Sequence, residues 1–355
     1  MQRSDSPRRS GLPRLARMAA ACALTLGVFG NAHAQSSVTL YGILDAGIQY
    51  LSHADGQHGA VNLQNYGVLP SQIGITGRED LGGGVQVIFR LEQGLNVNDG
   101  TATVPGLAFF RGAWVGLTGR FGTVTFGRQF SVLFDRTLFY DPLYYAAYSG
   151  QGELVPLDSI FVDNAVKYQT ADLAGFSGEA LAATGGVPGN SRSGRVLEAG
   201  AQYAGNGFGV SAVIHQSYGT VSATEDTSAQ QSTIGALAAH WDLSKLSLYG
   251  GVERQTGSLA PAKTVAWGGA RYRPDTVLSF AAGIYHTFSN TPSVGHPTLY
   301  VASATYALSK RTFAYLNLGY SHNTSGSSQP VYEYDSLPIA GVSQFGAMTG
   351  LSHTF

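Results

Sequence analysis

The chain of 355 residues balances 21 Lys+Arg against 22 Asp+Glu and is rich in Gly (47), Tyr (19) and Phe (17), with a single Cys. No basic stripe interleaved with stacking aromatics is present, which argues against nucleic acid as a partner, and one cysteine cannot build a disulfide framework. Abundant glycine and aromatics with little helix-like periodicity favour many short strands.

Residues 1–34 have the form of an export signal. Arg3, Arg8, Arg9, Arg14 and Arg17 precede an apolar stretch from Met18 to Phe29, and Ala32-His33-Ala34 supplies the small-x-small pattern for cleavage before Gln35. The stretch is shorter than the roughly 18 apolar residues of a spanning helix. Removing it takes away Cys22 and five arginines against only Asp5, so the mature chain, 35–355, is mildly acidic and free of cysteine. Beyond residue 35 no apolar run is long enough for a transmembrane helix.

Alternation and turn punctuation predict sixteen strands in the mature chain. They lie near 37–52, 71–80, 84–97, 108–118, 122–130, 163–171, 175–183 and 195–204, then 207–217, 231–241, 245–255, 263–273, 276–288, 298–308, 311–322 and 342–355. In the first, Leu40, Leu44 and Ile48 alternate with Tyr41, Asp45 and Gln49; in the third, Val87, Phe89 and Leu91 alternate with Ile88, Arg90 and Glu92. The last strand runs to the terminal Phe355 and needs partners on both edges, which closing the sheet onto the first strand supplies.

The connections alternate in length. Tight ones such as Leu81-Gly-Gly-Gly84 and Gly205-Asn-Gly207 take turns with longer polar loops such as 53–70, 184–194, 218–230, 289–297 and 323–341. This rhythm puts all turns at one rim and all loops at the other, the layout of an outer-membrane barrel with periplasmic turns. The expected fold is all-β: a 16-stranded antiparallel transmembrane barrel. One connection, 131–162, is far longer than its neighbours, and long loops in compact architectures are usually functional. The expectation is that this third loop folds into the lumen as a constriction, bringing Asp135, Asp141, Glu153, Asp158, Tyr144, Tyr145 and Tyr148 opposite basic wall residues.

Parity selects the wall candidates. A charge facing hydrocarbon costs about 2–4 kcal/mol at the bilayer midplane, so Arg78, Arg90, Arg111, Arg128 and Lys167 are expected to face water, with Tyr41, Asp45, Gln72 and Glu92 as further lumen residues. Arg128 shares the parity of Val124 and Phe126, which leaves its direction open.

Several segments together resemble a known family. Val38-Thr-Leu-Tyr-Gly-Ile-Leu-Asp-Ala-Gly47, Gly77-Arg-Glu-Asp-Leu-Gly-Gly-Gly84, Phe89-Arg-Leu-Glu-Gln-Gly94, Trp114-Val-Gly-Leu117, Gly122-Thr-Val-Thr-Phe-Gly-Arg-Gln129, Tyr306-Ala-Leu-Ser-Lys-Arg-Thr312 and Gly350-Leu-Ser-His-Thr-Phe355 are similar to the general diffusion porins of β- and related proteobacteria. The resemblance spans essentially the whole mature chain. It implies a trimeric outer-membrane channel passing ions and small hydrophilic solutes without cofactor or metal. It further implies contact with membrane lipid and lipopolysaccharide, and Phe355 as the mark by which the C-terminal strand meets the barrel-assembly machinery. Arg111 matches the arginine that opens the fourth strand in that family, whereas Gln72 and Phe161 or Val162 stand where relatives commonly carry arginine. A weakly selective pore is therefore expected.

Two rivals concern function. A barrel hydrolase would use histidines near loop ends, such as His53, His58, His286, His296 and His322, yet none has metal-ligand spacing or a Gly-x-Ser-x-Gly nucleophile nearby. A substrate-selective channel for sugars or aromatic acids would use Tyr144, Tyr145 and Tyr148 for stacking; alternatively those rings pin the loop to the wall. A third rival, a soluble adhesin, would not close its sheet.

Overall fold

The computed structural model describes residues 36–334 and 337–355; the export signal predicted over 1–34 lies outside the described residues. The strands are β1 Ser37–Leu51, β2 Ala60–Gln64, β3 Gln72–Gly82, β4 Val85–Gly94, β5 Gly112–Gly119, β6 Gly122–Phe130, β7 Phe161–Gln169, β8 Phe176–Ala183 and β9 Val196–Gly205. They continue as β10 Phe208–Tyr218, β11 Gln231–Leu243, β12 Leu246–Gly257, β13 Lys263–Tyr272, β14 Leu278–Phe288, β15 Thr298–Ala307, β16 Thr312–His322 and β17 Gln344–Thr354. All sixteen predicted strands are present. The extra one, β2, is a short ribbon inside the first loop that pairs with the far end of β1.

The sheet closes on itself. On one edge of β1, Ile43–Leu51 pair with Thr354–Gly346 of β17; on the other, Ser37–Ile43 pair with Arg78–Gln72 of β3. Closure extends to the last residue, because Gly42 and Phe355 exchange both backbone hydrogen bonds, at 3.2 and 3.1 Å. Gly42 gives the terminal ring room: a Cβ at that position would lie 2.2 Å from the tip of the exposed Phe355 ring and turn it aside.

Turn chemistry sets the short rim. Asn206 and Gly207, both with positive φ (54° and 76°), join β9 to β10, the pair of left-handed residues that a two-residue hairpin turn of matching twist requires. The long connections form the opposite rim: L1 52–71, L2 95–111, L3 131–160, L4 184–195, L5 219–230, L6 258–262, L7 289–297 and L8 323–343.

The two faces of the wall differ as the alternation predicts. On β14, Ile284 is 44% exposed and its neighbour Tyr285 1%; on β16, Leu318 is 38% exposed and Asn317 0%. Leu40, Ile48, Val115, Phe126, Leu237 and Leu351 continue the outward apolar belt. Aromatics border it on both sides, with Phe176, Phe208, Trp241, Tyr272, Tyr306 and Phe355 toward the turns and Phe288, Tyr300, Tyr320 and Phe345 toward the loops. An apolar belt with aromatic girdles on an outer face, and polar side chains within, is the arrangement of a barrel that sits in lipid. Ile284→Arg places a charge near the middle of that belt; it is expected to lower stability by about 2–4 kcal/mol in urea unfolding from lipid vesicles.

Candidate functional site

L3 leaves the wall at Ser131, whose Oγ caps the helix α1 (Val132–Leu138) by accepting from Phe134 N at 3.1 Å. The wall completes the cap: Glu198 of β9 accepts from Val132 N at 2.7 Å and is itself held by His215 Nδ1 at 2.6 Å. A carboxylate at a helix N-terminus is favourable because free N–H groups and the dipole both present positive charge there. Asp135 on this helix bonds Lys167 of β7, and Arg136 lies 3.3 Å from Glu179 of β8.

Beyond α1 the loop follows the inner wall strand by strand. Trp267 Nε1 donates to the Tyr140 carbonyl at 3.1 Å, Arg271 donates twice to the Pro142 carbonyl at 3.1 and 2.8 Å, and Tyr144 meets Tyr249 hydroxyl to hydroxyl at 2.9 Å. On the return, α2 (Gln151–Leu154) carries Glu153, which bonds Lys263 of β13 at 3.2 Å. L3 is thus tied to the wall at both ends of its course, Asp135 pairing with Lys167 and Glu153 with Lys263. Parity arguments missed Lys263 because its position at the first residue of a strand leaves no alternation to read.

Other predicted loop residues have different placements. Asp141 is fully buried and ties the loop to itself and to the wall: it accepts from Leu143 N at 2.8 Å, Tyr145 N at 3.2 Å and the hydroxyl of Tyr285 on β14. Burial pushes its carboxyl above the usual range, while those hydrogen bonds oppose the rise. It does not face the lumen. Asp158 is exposed and bonds only its neighbour Ser159. Tyr144, Tyr145 and Tyr148 all have positive φ, 55°, 57° and 68°, which costs about 1–3 kcal/mol per residue and needs surrounding contacts to hold it. Tyr145 and Tyr148 are 1% and 0% exposed, so they anchor the loop; Tyr144 alone retains an accessible face.

The wall candidates also separate. Arg111 bonds Glu92 at 2.9 Å, and Glu92 accepts from the Tyr41 hydroxyl at 2.5 Å. Arg90, on the same face of β4, lies over the Trp114 ring at 5.6 Å. Gln72 is buried, and Arg78 is exposed at the turn rim, far along β3 from this group. Arg128 sits where β6 bulges between Gly127 and Gln129. The bulge breaks the parity that made its direction ambiguous, and its guanidinium is committed to Asp163 at 2.6 Å and to the Phe110 carbonyl.

L1 and L8 also enter the lumen, which the sequence reading placed outside. Asp45 of β1 draws L1 inward: its buried carboxylate accepts from Gly67 N at 2.8 Å, Val68 N at 3.0 Å and the Tyr315 hydroxyl at 2.8 Å. From there Gly67 O receives Asn317 Nδ2 and Ala147 N of L3. Tyr332 of L8 donates to Tyr66 O at 3.2 Å, and Tyr334 accepts from Gln151 of L3 at 2.9 Å. The apolar segments Tyr66-Gly-Val-Leu69 and Val331-Tyr332 were the available signal, since solvated loops seldom carry so few polar residues.

Asp45→Ala removes the acceptor for several buried donors, each costing about 1–3 kcal/mol when left unpaired; L1 is expected to leave the lumen and single-channel conductance to rise in planar bilayers. Glu333 of L8, packed beside Gly152, has its carboxyl pushed up to about 8 by burial, with Glu153 and Asp141 adding to the rise. A raised carboxyl favours the docked, protonated form at low pH. Docking of L8 is therefore expected to be tightest near pH 4 and to weaken as pH rises through 8, read as growing open-channel current noise that Glu333→Gln abolishes.

Comparison with known proteins agrees with this architecture. A family profile described as Gram-negative porin matches residues 19–326. Outer membrane porin protein 32 of Delftia acidovorans is 27% identical over 362 residues, spanning 93% of this chain and 97% of that protein. An outer membrane porin protein of Bordetella pertussis is 35% identical over 174 residues, 44% of this chain and 45% of its own length. The solved anion-selective porin from Comamonas acidovorans superimposes with a TM-score of 0.80 at 24% identity, covering 90% of this chain and 100% of that one. OmpT of Vibrio cholerae, solved in a trimer form, does so with a TM-score of 0.63 at 15% identity, covering 90% and 99%. A closed lipid-facing barrel, matched by that profile over most of its length, places this chain in the Gram-negative porin family, as a diffusion channel of the outer membrane.

Proposed function

We propose that the channel passes ions and small hydrophilic solutes with little preference for either charge, and that residues 131–162 form its constriction. The observation that carries the charge reading is pairing. Arg111 with Glu92, Lys167 with Asp135, Lys263 with Glu153, Arg136 with Glu179 and Arg128 with Asp163 each place a cation within 4.0 Å of a carboxylate. Paired charges give a local transverse field but little net potential along the path of a permeating ion. Gln72 and Phe161, which stand where the family resemblance leads one to expect arginine, point the same way.

The wall group Arg111, Glu92, Tyr41 and Arg90 serves in this reading as the face opposite L3. The chain acts as a channel and not as an enzyme, in keeping with the family to which it belongs. A homotrimer is the expected assembly, since a solved porin of this architecture is described in a trimer form. The outward apolar belt fits membrane lipid and lipopolysaccharide as its surroundings, and the exposed terminal Phe355 fits recognition by the assembly machinery.

Reversal potentials across a salt gradient test the selectivity. The expected permeability ratio of potassium to chloride is close to one, and a strong anion preference overturns the reading. Glu92→Gln, which strips Arg111 of its carboxylate, is expected to move the ratio toward anions by about sevenfold, because roughly 0.6 kcal/mol from a unit charge at ~7 Å in water acts on cation and anion with opposite sign. Lys263→Gln is expected to move it the other way.

A further inference from the structure

Two arginines on the turn side of L3 have no carboxylate. Arg271 ends the inward face of β13, and Arg273 follows two residues later with the same parity and is exposed. Neither has an ion-pair partner among the described residues, in contrast to Lys167 and Lys263, the wall lysines that pair with L3 carboxylates. The neighbouring acid does not supply one: Asp275 Oδ1 accepts from Val277 N and Leu278 N, both at 2.8 Å, and is committed to its own turn.

The arginines border a cavity of about 430 Å³, which lies between the wall, L3 and the inward part of L1. Its chemistry is divided. Arg271, Arg273 and Tyr144 line it, with Asp275 held on its own turn beside them, and Val68, Leu69 and Leu143 supply an apolar surface. Arg271 is held in place before any ligand arrives, because the Pro142 carbonyl takes two of its N–H donors and the Tyr144 ring lies 3.8 Å from its guanidinium carbon. The remaining N–H donors of its fork have no protein acceptor among the described residues. Tyr144 is fixed in turn by the hydroxyl of Tyr249 and by a left-handed backbone. A strained residue presenting a ring over a fixed cation is the kind of site where strain serves function.

We infer that this cavity is a binding subsite for organic carboxylates that carry a ring or other apolar body. The guanidiniums would receive the carboxylate, charge-assisted hydrogen bonds being the strong ones, and the apolar body would lie against Tyr144, Leu143 and the L1 residues. The volume suits such a molecule, within the range of small-ligand pockets. A fully hydrated inorganic anion would satisfy the arginines and leave the apolar wall uncovered, so the subsite discriminates by the body attached to the charge. Anions entering from the turn side would reach it before the paired charges of L3. The subsite would retard such solutes against smaller ions that share the channel.

The inference rests on the channel reading, and the experiment separates the two. Refolded protein in a planar bilayer is held in potassium chloride while benzoate is added on the turn side. Saturable reduction of the current is expected with benzoate, and none with acetate, which lacks the body, or benzyl alcohol, which lacks the charge. Arg273→Gln is expected to raise the half-blocking benzoate concentration at least tenfold, and Tyr144→Leu several-fold. Arg273 is exposed, so its replacement does not threaten folding. Normal conductance steps with equal effects of benzoate and acetate overturn the subsite; absence of conductance steps altogether overturns the channel reading.

Discussion

Pairing of β1 with β17 is the constraint on which the rest depends. In hydrocarbon an unpaired backbone N–H or C=O has no water to turn to, so a sheet can span only if it has no edge. Gly42 and Phe355, exchanging hydrogen bonds at the seam, complete that condition at the last residue of the chain. Once the ring is closed, alternate residues have no freedom left: Ile284 must meet lipid and Tyr285 must meet the interior. The polar interior then becomes a place where loops can be stabilised by hydrogen bonds and ion pairs that would be worth little on an open surface.

L3 exploits this. Its path is specified by a sequence of wall groups, Lys167, Glu179, Glu198, Trp267, Arg271 and Lys263, each meeting a particular loop atom. Half of those loop atoms are backbone carbonyls and N–H groups. The strained tyrosines at 144, 145 and 148 are tolerable for the same reason, since the wall and L8 fix their rings from several directions. L1 and L8 are drawn in by the same logic, one through Asp45 and the other through Tyr332.

The lumen that results has two chemically different halves. On the side of β4 to β8, opposite charges neutralise one another within hydrogen-bonding distance, which favours indifferent passage of small ions. On the turn side of the loop, Arg271 and Arg273 keep their charge beside an apolar surface. One channel can thus be unselective toward salt and still retain a preference among organic anions.

Strand positions, the outward belt, the closing role of Phe355 and the alternation of turns with loops were legible in the sequence, because each follows from a period of two and from local turn chemistry. That the loop 131–162 is set apart from its neighbours was legible from its length and composition. Its wall partners were only half visible: Lys167 stands inside a readable alternation, whereas Lys263 and Arg271 stand at strand ends where parity fades. Arg128 was ambiguous because a bulge, marked in the sequence only by Gly127, interrupts its strand. The burial of Asp141, Tyr145 and Tyr148, and the entry of L1 and L8, were decided only by tertiary structure. Asp141 and Tyr148 meet Tyr285 and Tyr332, each more than a hundred positions away, and no local pattern encodes which wall atom such a loop will find.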